Sequence, residues 1–296
     1  MVILYRFQAH KARKVTKLIP FTVYPTTIFS HSTGFFMTIH KNCNLCFAFS
    51  LGFSHKRCYN ILYRIYSKTF KIRLNGGIIL KQAVIFDLDG TLTDTVGSIA
   101  EAGNAMLTLR GWQAQAVDAY RYFAGDGAKA LVLRALIAAG DSNAEQSLPE
   151  ALAQYMEIFA ETCTHGVKPF DGIPELLTQL KERGVRIAVL SNKPHPMTVD
   201  VVHSFFGESL FDVVQGQTAD IPPKPDQTGV QHILAQLNLR AEDCLYVGDT
   251  DTDMDTGRNA SMETVGVLWG FRGEEELKAH HADHIISHPL QLLELL

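Results

Sequence analysis

The chain has 296 residues, with 46% hydrophobic and 20% charged side chains and a formal net charge of −4. That length accommodates one large domain or two modest ones around a sizeable core, and the composition is that of a soluble globular protein. No stretch has the length and clean flanks of a membrane-spanning helix. Five cysteines, few and odd in number, argue against a disulfide framework and fit a reducing, cytoplasmic setting.

The net charge conceals a division near Gly76-Gly77. Residues 1–77 hold twelve Lys and Arg and no Asp or Glu, whereas residues 78–296 hold fifteen basic and all 31 acidic residues, a net charge of −16. In the first part, aromatic, aliphatic and basic residues follow neither a helical nor an alternating period. Cys43-Asn44-Leu45-Cys46 is a weak zinc or redox signal, because no second Cys pair or His pair follows at finger spacing. Four readings of residues 1–79 compete. A targeting peptide fits the basic charge but not the length or the aromatic content. A membrane-surface arm fits the charge, and a nucleic-acid-binding arm lacks any recognisable motif. The preferred reading is a non-native, unstructured extension upstream of the true start, with Leu80 as the initiator (a TTG codon) and Gly76-Gly77 encoded by a purine-rich ribosome-binding sequence.

From Leu80 onward the pattern is regular. An apolar run predicts a strand over Gln82–Phe86, with a loop to Thr95. Ile99, Ala102, Ala105, Met106 and Leu109 mark a helix over Val96–Arg110. Helices follow at about 116–123, 127–139 and 148–162, punctuated by Gly125, Gly127 and Gly140. Strands and helices then alternate. A helix over Ile173–Arg183 precedes a strand at Val185–Leu190, and a helix at 196–206 precedes a strand at Asp212–Val214. A helix at 226–237 precedes a strand at Cys244–Val247. A strand at Thr264–Val267 and a last helix near Pro289–Leu296 close the chain. This alternation predicts an α/β fold, a doubly wound parallel sheet with an all-helical insertion after its first strand.

Carboxylates, a hydroxyl and a lysine fall where those strands end, the edge at which open α/β sheets place their chemistry. Asp87-Leu88-Asp89-Gly90-Thr91 puts two carboxylates in one small volume, which is costly unless a cation or proton offsets the repulsion. Read alone, Asp89-Gly90 is also an ordinary turn pair. Ser191-Asn192-Lys193 offers a hydroxyl and backbone N–H groups to phosphoryl oxygens, or alternatively a helix N-cap. Lys224 lies between Pro223 and Pro225, so its ammonium has restricted freedom, although an exposed loop lysine is the plain alternative. Gly248-Asp249-Thr250-Asp251-Thr252-Asp253 supplies oxygen ligands suited to Mg²⁺, without the central Gly and closing Glu of a calcium loop. His280, His281, His284 and His288 read as polar surface, Cys244 as a small core residue, and Met106 and Met156 as core of the helical insertion.

These four segments, in this order, resemble the four motifs of the haloacid dehalogenase superfamily of phosphoryl-transfer enzymes. The likeness covers residues 80–296. The helical block resembles the cap of its phosphoglycolate phosphatase group, carried by Arg121 through Ala128 and by Leu131-Val132-Leu133-Arg134-Ala135-Leu136. The resemblance implies a core of residues 80–95 and 167–296 and a cap of residues 96–166. It implies Asp87 as nucleophile, Asp89 as general acid and base, and Lys224 and Ser191 as charge stabilisers. Thr91 would position Asp89, and Asn192 would join the phosphate site. Mg²⁺ would be held by Asp87, the backbone carbonyl of Asp89 and Asp249, with Asp253 in support. Arg121, Gly125, Gly127 and Lys129 are the cap's candidates for substrate contact. The implied partner is a small phosphorylated metabolite, phosphoglycolate first, with neither nucleic acid nor membrane expected for residues 80–296. Alternatives are a pyrophosphatase or nucleotide phosphatase, then a β-phosphoglucomutase-like mutase, and from another class a non-catalytic phospho-ligand binder.

Overall fold

The structure, a computed structural model, describes residues 81–296 together with the backbone of three strands that precede them. The chain forms two compact units, residues 1–77 and 78–296. In the first, β1 (Thr26–Ser30), β2 (Phe35–Ile39) and β3 (Leu45–Phe49) pair as an antiparallel meander, where the sequence pattern suggests no regular structure. The expectations attached to the side chains of Cys43 and Cys46, to Gly76-Gly77 and to Leu80 lie outside the described residues.

The second unit is built on a six-stranded sheet whose pairings are all parallel. Its strands are β4 (Ala83–Phe86), β7 (Arg186–Pro194), β8 (Val213–Gln217), β9 (Cys244–Gly248), β10 (Glu263–Val267) and β11 (His284–Ile286), in the order β11-β10-β9-β4-β7-β8. Every residue of β4 is buried, as a central strand covered on both faces requires. Val84 and Phe86 join an apolar cluster with Ile187, Val189, Leu245 and Val247. Ala83 and Ile85 join the opposite cluster, with Ala188, Leu190 and Tyr246. The chain leaves β4 for β7 on one side and later returns to β9 on the other. β4 therefore sits at the point where the strand order reverses, the location at which such sheets bind ligands.

Between β4 and β7 the chain builds a helical layer from α1 (Val96–Leu109), α2 (Tyr120–Phe123), α3 (Ala128–Ala138) and α4 (Ala144–Thr162). A two-stranded stem, β5 (Thr93–Asp94) against β6 (Lys168–Pro169), closes its base. These helices bury their own core, including Ile99, Met106, Tyr120, Leu136, Tyr155 and Phe159. The buried residues of α1 are Val96, Ser98, Ile99, Ala100, Ala102, Gly103, Met106 and Leu107. Leu109, expected on the buried face and one seven-residue step beyond the buried Ala102, is 69% exposed; it is the last residue of the helix. Helix α4 starts a turn earlier than expected and contains Pro149.

Outside that layer, α5 (Ile173–Glu182), α6 (His195–Phe206) and α7 (Thr228–Leu237) form as expected. Two helices and a strand were not foreseen. α8 (Asp251–Asn259) and α9 (Glu274–Ala279) have too few apolar residues to show a period, and β11 has only three residues. The C-terminal segment Pro289–Glu294 is a 3₁₀ helix. His280 and His284 pair with Asp255 and Glu263, so the histidine-rich tail is a polar surface. No helix among the described residues is long and apolar enough to cross a membrane.

Candidate active site

Adjacent parallel strands bring remote residues together at one edge. Phe86 is in register with Val189 on β7 and Val247 on β9, so Asp87 leaves β4 between Leu190-Ser191 and Gly248-Asp249. A pocket at this edge is lined by Asp87, Asp89, Ser191, Asn192, Lys193 and Lys224 from the sheet side. The helical layer covers it with residues that include Gly125, Gly127, Leu131, Tyr155 and Phe159.

Lys224 is the electrostatic centre. Its Nζ lies 2.7 Å from Asp87 Oδ1 and 2.7 Å from Asp253 Oδ1, and all three side chains are buried. Burial disfavours the ammonium, but the Asp253 and Asp87 carboxylates outweigh this and hold its pKa well above the ordinary value. Asp87 itself is pushed well up, first by burial and then by Asp253, with Lys224 opposing. The directions are compatible because one ammonium serves two carboxylates. Asp249, pushed up to about 7 by burial and by Asp253, adds a third.

One oxygen from each of Asp87, Asp249 and Asp253 falls within 4.8 Å of the others. Among the described residues this is the one group of acidic or imidazole side chains close enough to share a metal ion. Three carboxylates against one lysine leave a surplus of two negative charges, which fits a hard divalent cation with oxygen ligands. The three do not contribute alike. Asp253 Oδ1 takes Lys224, and its Oδ2 accepts from the N–H groups of Asp249 and Thr250 and from the Thr250 hydroxyl. That is a capping box at the start of α8, and it suits a supporting role rather than a direct ligand. Asp249 accepts from the Thr91 hydroxyl at 3.0 Å and from the Phe271 N–H at 2.6 Å. The Asp249 side chain is wedged between Gly90 and Gly270. A Cβ at either glycine would lie 2.3 Å from an atom of that side chain, and Gly90 also has φ +92°.

Several sequence-based roles change. Thr91 donates its hydroxyl to Asp249, not to Asp89. Asp89 is met instead by Lys193, whose Nζ lies 2.7 Å from Asp89 Oδ1 with 1% of its side chain exposed. Asn192 does not present a free amide. Its Oδ1 accepts from the Lys224 N–H, and its Nδ2 donates to the carbonyls of Gly125 and Lys224, so it ties the Lys224 loop to the helical layer. Ser191 is buried in the pocket and accepts from the Lys193 N–H.

Gly125 and Gly127 reach the pocket, but Arg121 and Lys129 do not line it. Arg121 donates to the Gly270 carbonyl and lies over the Phe271 ring, and Lys129 is exposed. The helical layer is fastened to the sheet by contacts with no local sequence signal. Arg272 donates to the carbonyls of Arg121 and Ala124, and the Thr252 hydroxyl donates to Asp126 at 2.7 Å. That hydrogen bond, with the Arg134 pair, overcomes burial and holds Asp126 below the ordinary carboxylate range.

Comparisons with known proteins agree with this geometry. A phosphoglycolate phosphatase of Psychrobacter arcticus is 29% identical over 202 residues, 67% of this chain and 88% of its own length. An N-acetylmuramic acid 6-phosphate phosphatase of Pseudomonas aeruginosa is 29% identical over 216 residues, 73% of this chain and 94% of its own length. Among solved structures, a Lactobacillus delbrueckii subsp. bulgaricus protein provisionally assigned as a phosphoglycolate phosphatase superposes with a TM-score of 0.66 at 31% identity, covering 73% of this chain and 98% of that one. The family model for haloacid dehalogenase-like hydrolases matches residues 84–267, which include both aspartates after β4, the Ser191 and Lys224 loops and the Asp249 turn. With the sheet order, the carboxylate cluster and this match in agreement, the chain belongs to the haloacid dehalogenase-like hydrolase family.

Proposed function

We propose that the protein is a Mg²⁺-dependent phosphomonoester hydrolase acting through a phosphorylated Asp87, with phosphoglycolate as its leading substrate. The observation that carries this reading is the Asp87–Lys224–Asp253 arrangement beside Asp249 at the end of the central strand. A carboxylate nucleophile splits a difficult transfer into two easier steps. Lys224 holds Asp87 Oδ1, fixing the carboxylate's orientation and leaving its other oxygen to attack phosphorus. Asp89, two residues on, lines the same pocket and serves as the acid for the departing alkoxide, then as the base for the attacking water. The Ser191 hydroxyl and nearby N–H groups stabilise charge on the transferring group. Asp87, Asp249 and the backbone carbonyl of Asp89 would hold Mg²⁺, with Asp253 behind them. The bound ion supplies charge neutralisation for the phosphate and for the surplus carboxylates.

The helical layer supports a water-excluding cap, because Tyr155, Phe159 and Leu131 present apolar surface over the pocket. Such a cover suits a small ester rather than a bulky one. Buried free Cys163 and Cys244 suit the cytoplasm. The test is a panel of phosphate esters assayed with Mg²⁺ and with a chelator. The reading expects Mg²⁺-dependent hydrolysis with phosphoglycolate preferred over nucleotides, pyrophosphate and sugar phosphates. A preference for a sugar 6-phosphate would replace the substrate and keep the chemistry. Turnover unaffected by chelator would contradict the metal.

A further inference from the structure

We infer that Lys193 is the specificity-determining cation of this site, reading a carboxylate one carbon away from the scissile phosphate ester. The inference rests on the phosphatase reading above and names the residue that would select the substrate.

A carboxylated phosphate ester of this size carries two anionic ends, and Lys224 is already shared by Asp87 and Asp253 at the phosphate end. The cap candidates, Arg121 and Lys129, do not line the pocket. Among the residues that line it, Lys193 and Lys224 are the cationic ones, so Lys193 is left for the second anion.

Its location fits the connectivity of the substrate. In a phosphate ester of glycolate, the carboxylate carbon is two bonds from the ester oxygen that leaves. Whichever side chain protonates that oxygen is therefore a near neighbour of the carboxylate. That acid is Asp89, and the cation touching Asp89, at 2.7 Å, is Lys193.

The ammonium also has capacity left. It has three N–H donors. One is given to Asp89 Oδ1, and one side of the group lies 4.7 Å from the centre of the Phe159 ring on the helical layer. The lysine thus stands where sheet and cap meet, with its stem buried and its head at the pocket. A carboxylate arriving there completes a charge-assisted hydrogen bond in a desolvated setting, where such bonds are strong. A substrate with a methyl group in place of the carboxylate leaves the ammonium to Asp89 alone.

The experiment compares kcat/KM for phosphoglycolate and for ethyl phosphate, its counterpart without the carboxylate, in the Mg²⁺-loaded wild-type chain, in Lys193→Met and in Lys193→Gln. Gln keeps N–H donors for Asp89 while losing the charge, so it covers the case in which Met does not fold. Both variants disturb Asp89, so both substrates slow. The reading quantity is the ratio of the two specificity constants, which a role in holding Asp89 would move far less than 10-fold, because both leaving groups are unactivated alkoxides with a similar need for protonation. We expect that ratio to favour phosphoglycolate in the wild type and to fall roughly 10- to 100-fold in either variant. Rates that fall while the ratio stays would show that Lys193 serves Asp89 only, overturning the inference and leaving the phosphatase intact. A wild-type enzyme that hydrolyses both esters equally well would overturn the substrate assignment and the inference together.

Discussion

Replacing Lys224 with Met removes one ammonium from two buried carboxylates. Both Asp87 and Asp253 lie 2.7 Å from its Nζ, and the Lys224 side chain is 4% exposed. Breaking a buried ion pair from one side costs about 3–5 kcal/mol, because the stranded charge remains in the interior. At about 2–4 °C of Tm per kcal/mol for a domain of this size, the variant should melt roughly 6–20 °C lower. Protonation of the stranded Asp87 limits that loss. The folded pKa of Asp87, already raised by burial and by Asp253, loses the opposing Lys224 charge, so its protonated form is available at low pH, and stability is lost as pH rises towards the folded pKa. The deficit should therefore be larger at pH 8 than at pH 5. Circular dichroism melts of both proteins in chelator, at both pH values, measure it directly. A Tm within about 2 °C of wild type at pH 8 would refute the buried-charge argument, as would a deficit that does not depend on pH.

Three further outcomes are expected. Asp89→Asn should slow alkyl phosphates far more than an activated aryl phosphate, whose leaving group needs little protonation; equal losses on both esters would remove Asp89 as the acid. Gly270→Ala would place a Cβ 2.3 Å from Asp249 Cβ and 2.5 Å from the Gly90 carbonyl oxygen, so it should cost about 1–3 kcal/mol and weaken Mg²⁺ activation; a variant as stable and active as wild type would show that the turn yields freely. Asp249, raised from 3.8 to about 7, favours the metal-free fold when protonated, and that contribution disappears as pH climbs towards 7. Mg²⁺ should then raise Tm more at pH 8 than at pH 5, and an equal rise at both would contradict its binding to this cluster.

The parts of the site written in one short segment were readable in advance. An apolar run ending in Asp87 marks a central strand and its active edge at once, and the run into Asp249 does the same. The contacts without a local signal join residues far apart in sequence. Lys193 and Asp89 are separated by 104 positions, and no local pattern pairs them. A hint was present, since alternate residues of an extended segment share a face, and Ser191 and Lys193 are such a pair. The bridging contacts of Asn192 are illegible for the same reason, because its partners are the carbonyls of Gly125 and Lys224 and the N–H of Lys224. Helix α8 has no apolar period because Asp251–Asn259 is mostly polar. Its Thr250-x-x-Asp253 capping box was the available signal, and the same Asp253 that starts the helix also orients Lys224.

The central claim is that Asp87 becomes phosphorylated, and reductive trapping tests it most directly. Enzyme mixed with Mg²⁺ and phosphoglycolate is quenched early and treated with borohydride, which reduces an acyl phosphate to the alcohol and converts the aspartate to homoserine. Peptide mass spectrometry should locate homoserine at Asp87, only when substrate is present, and Asp87→Asn should show neither the mark nor turnover. Rapid phosphate release with no mark at Asp87 at any quench time, or with the mark on another residue, would contradict the account.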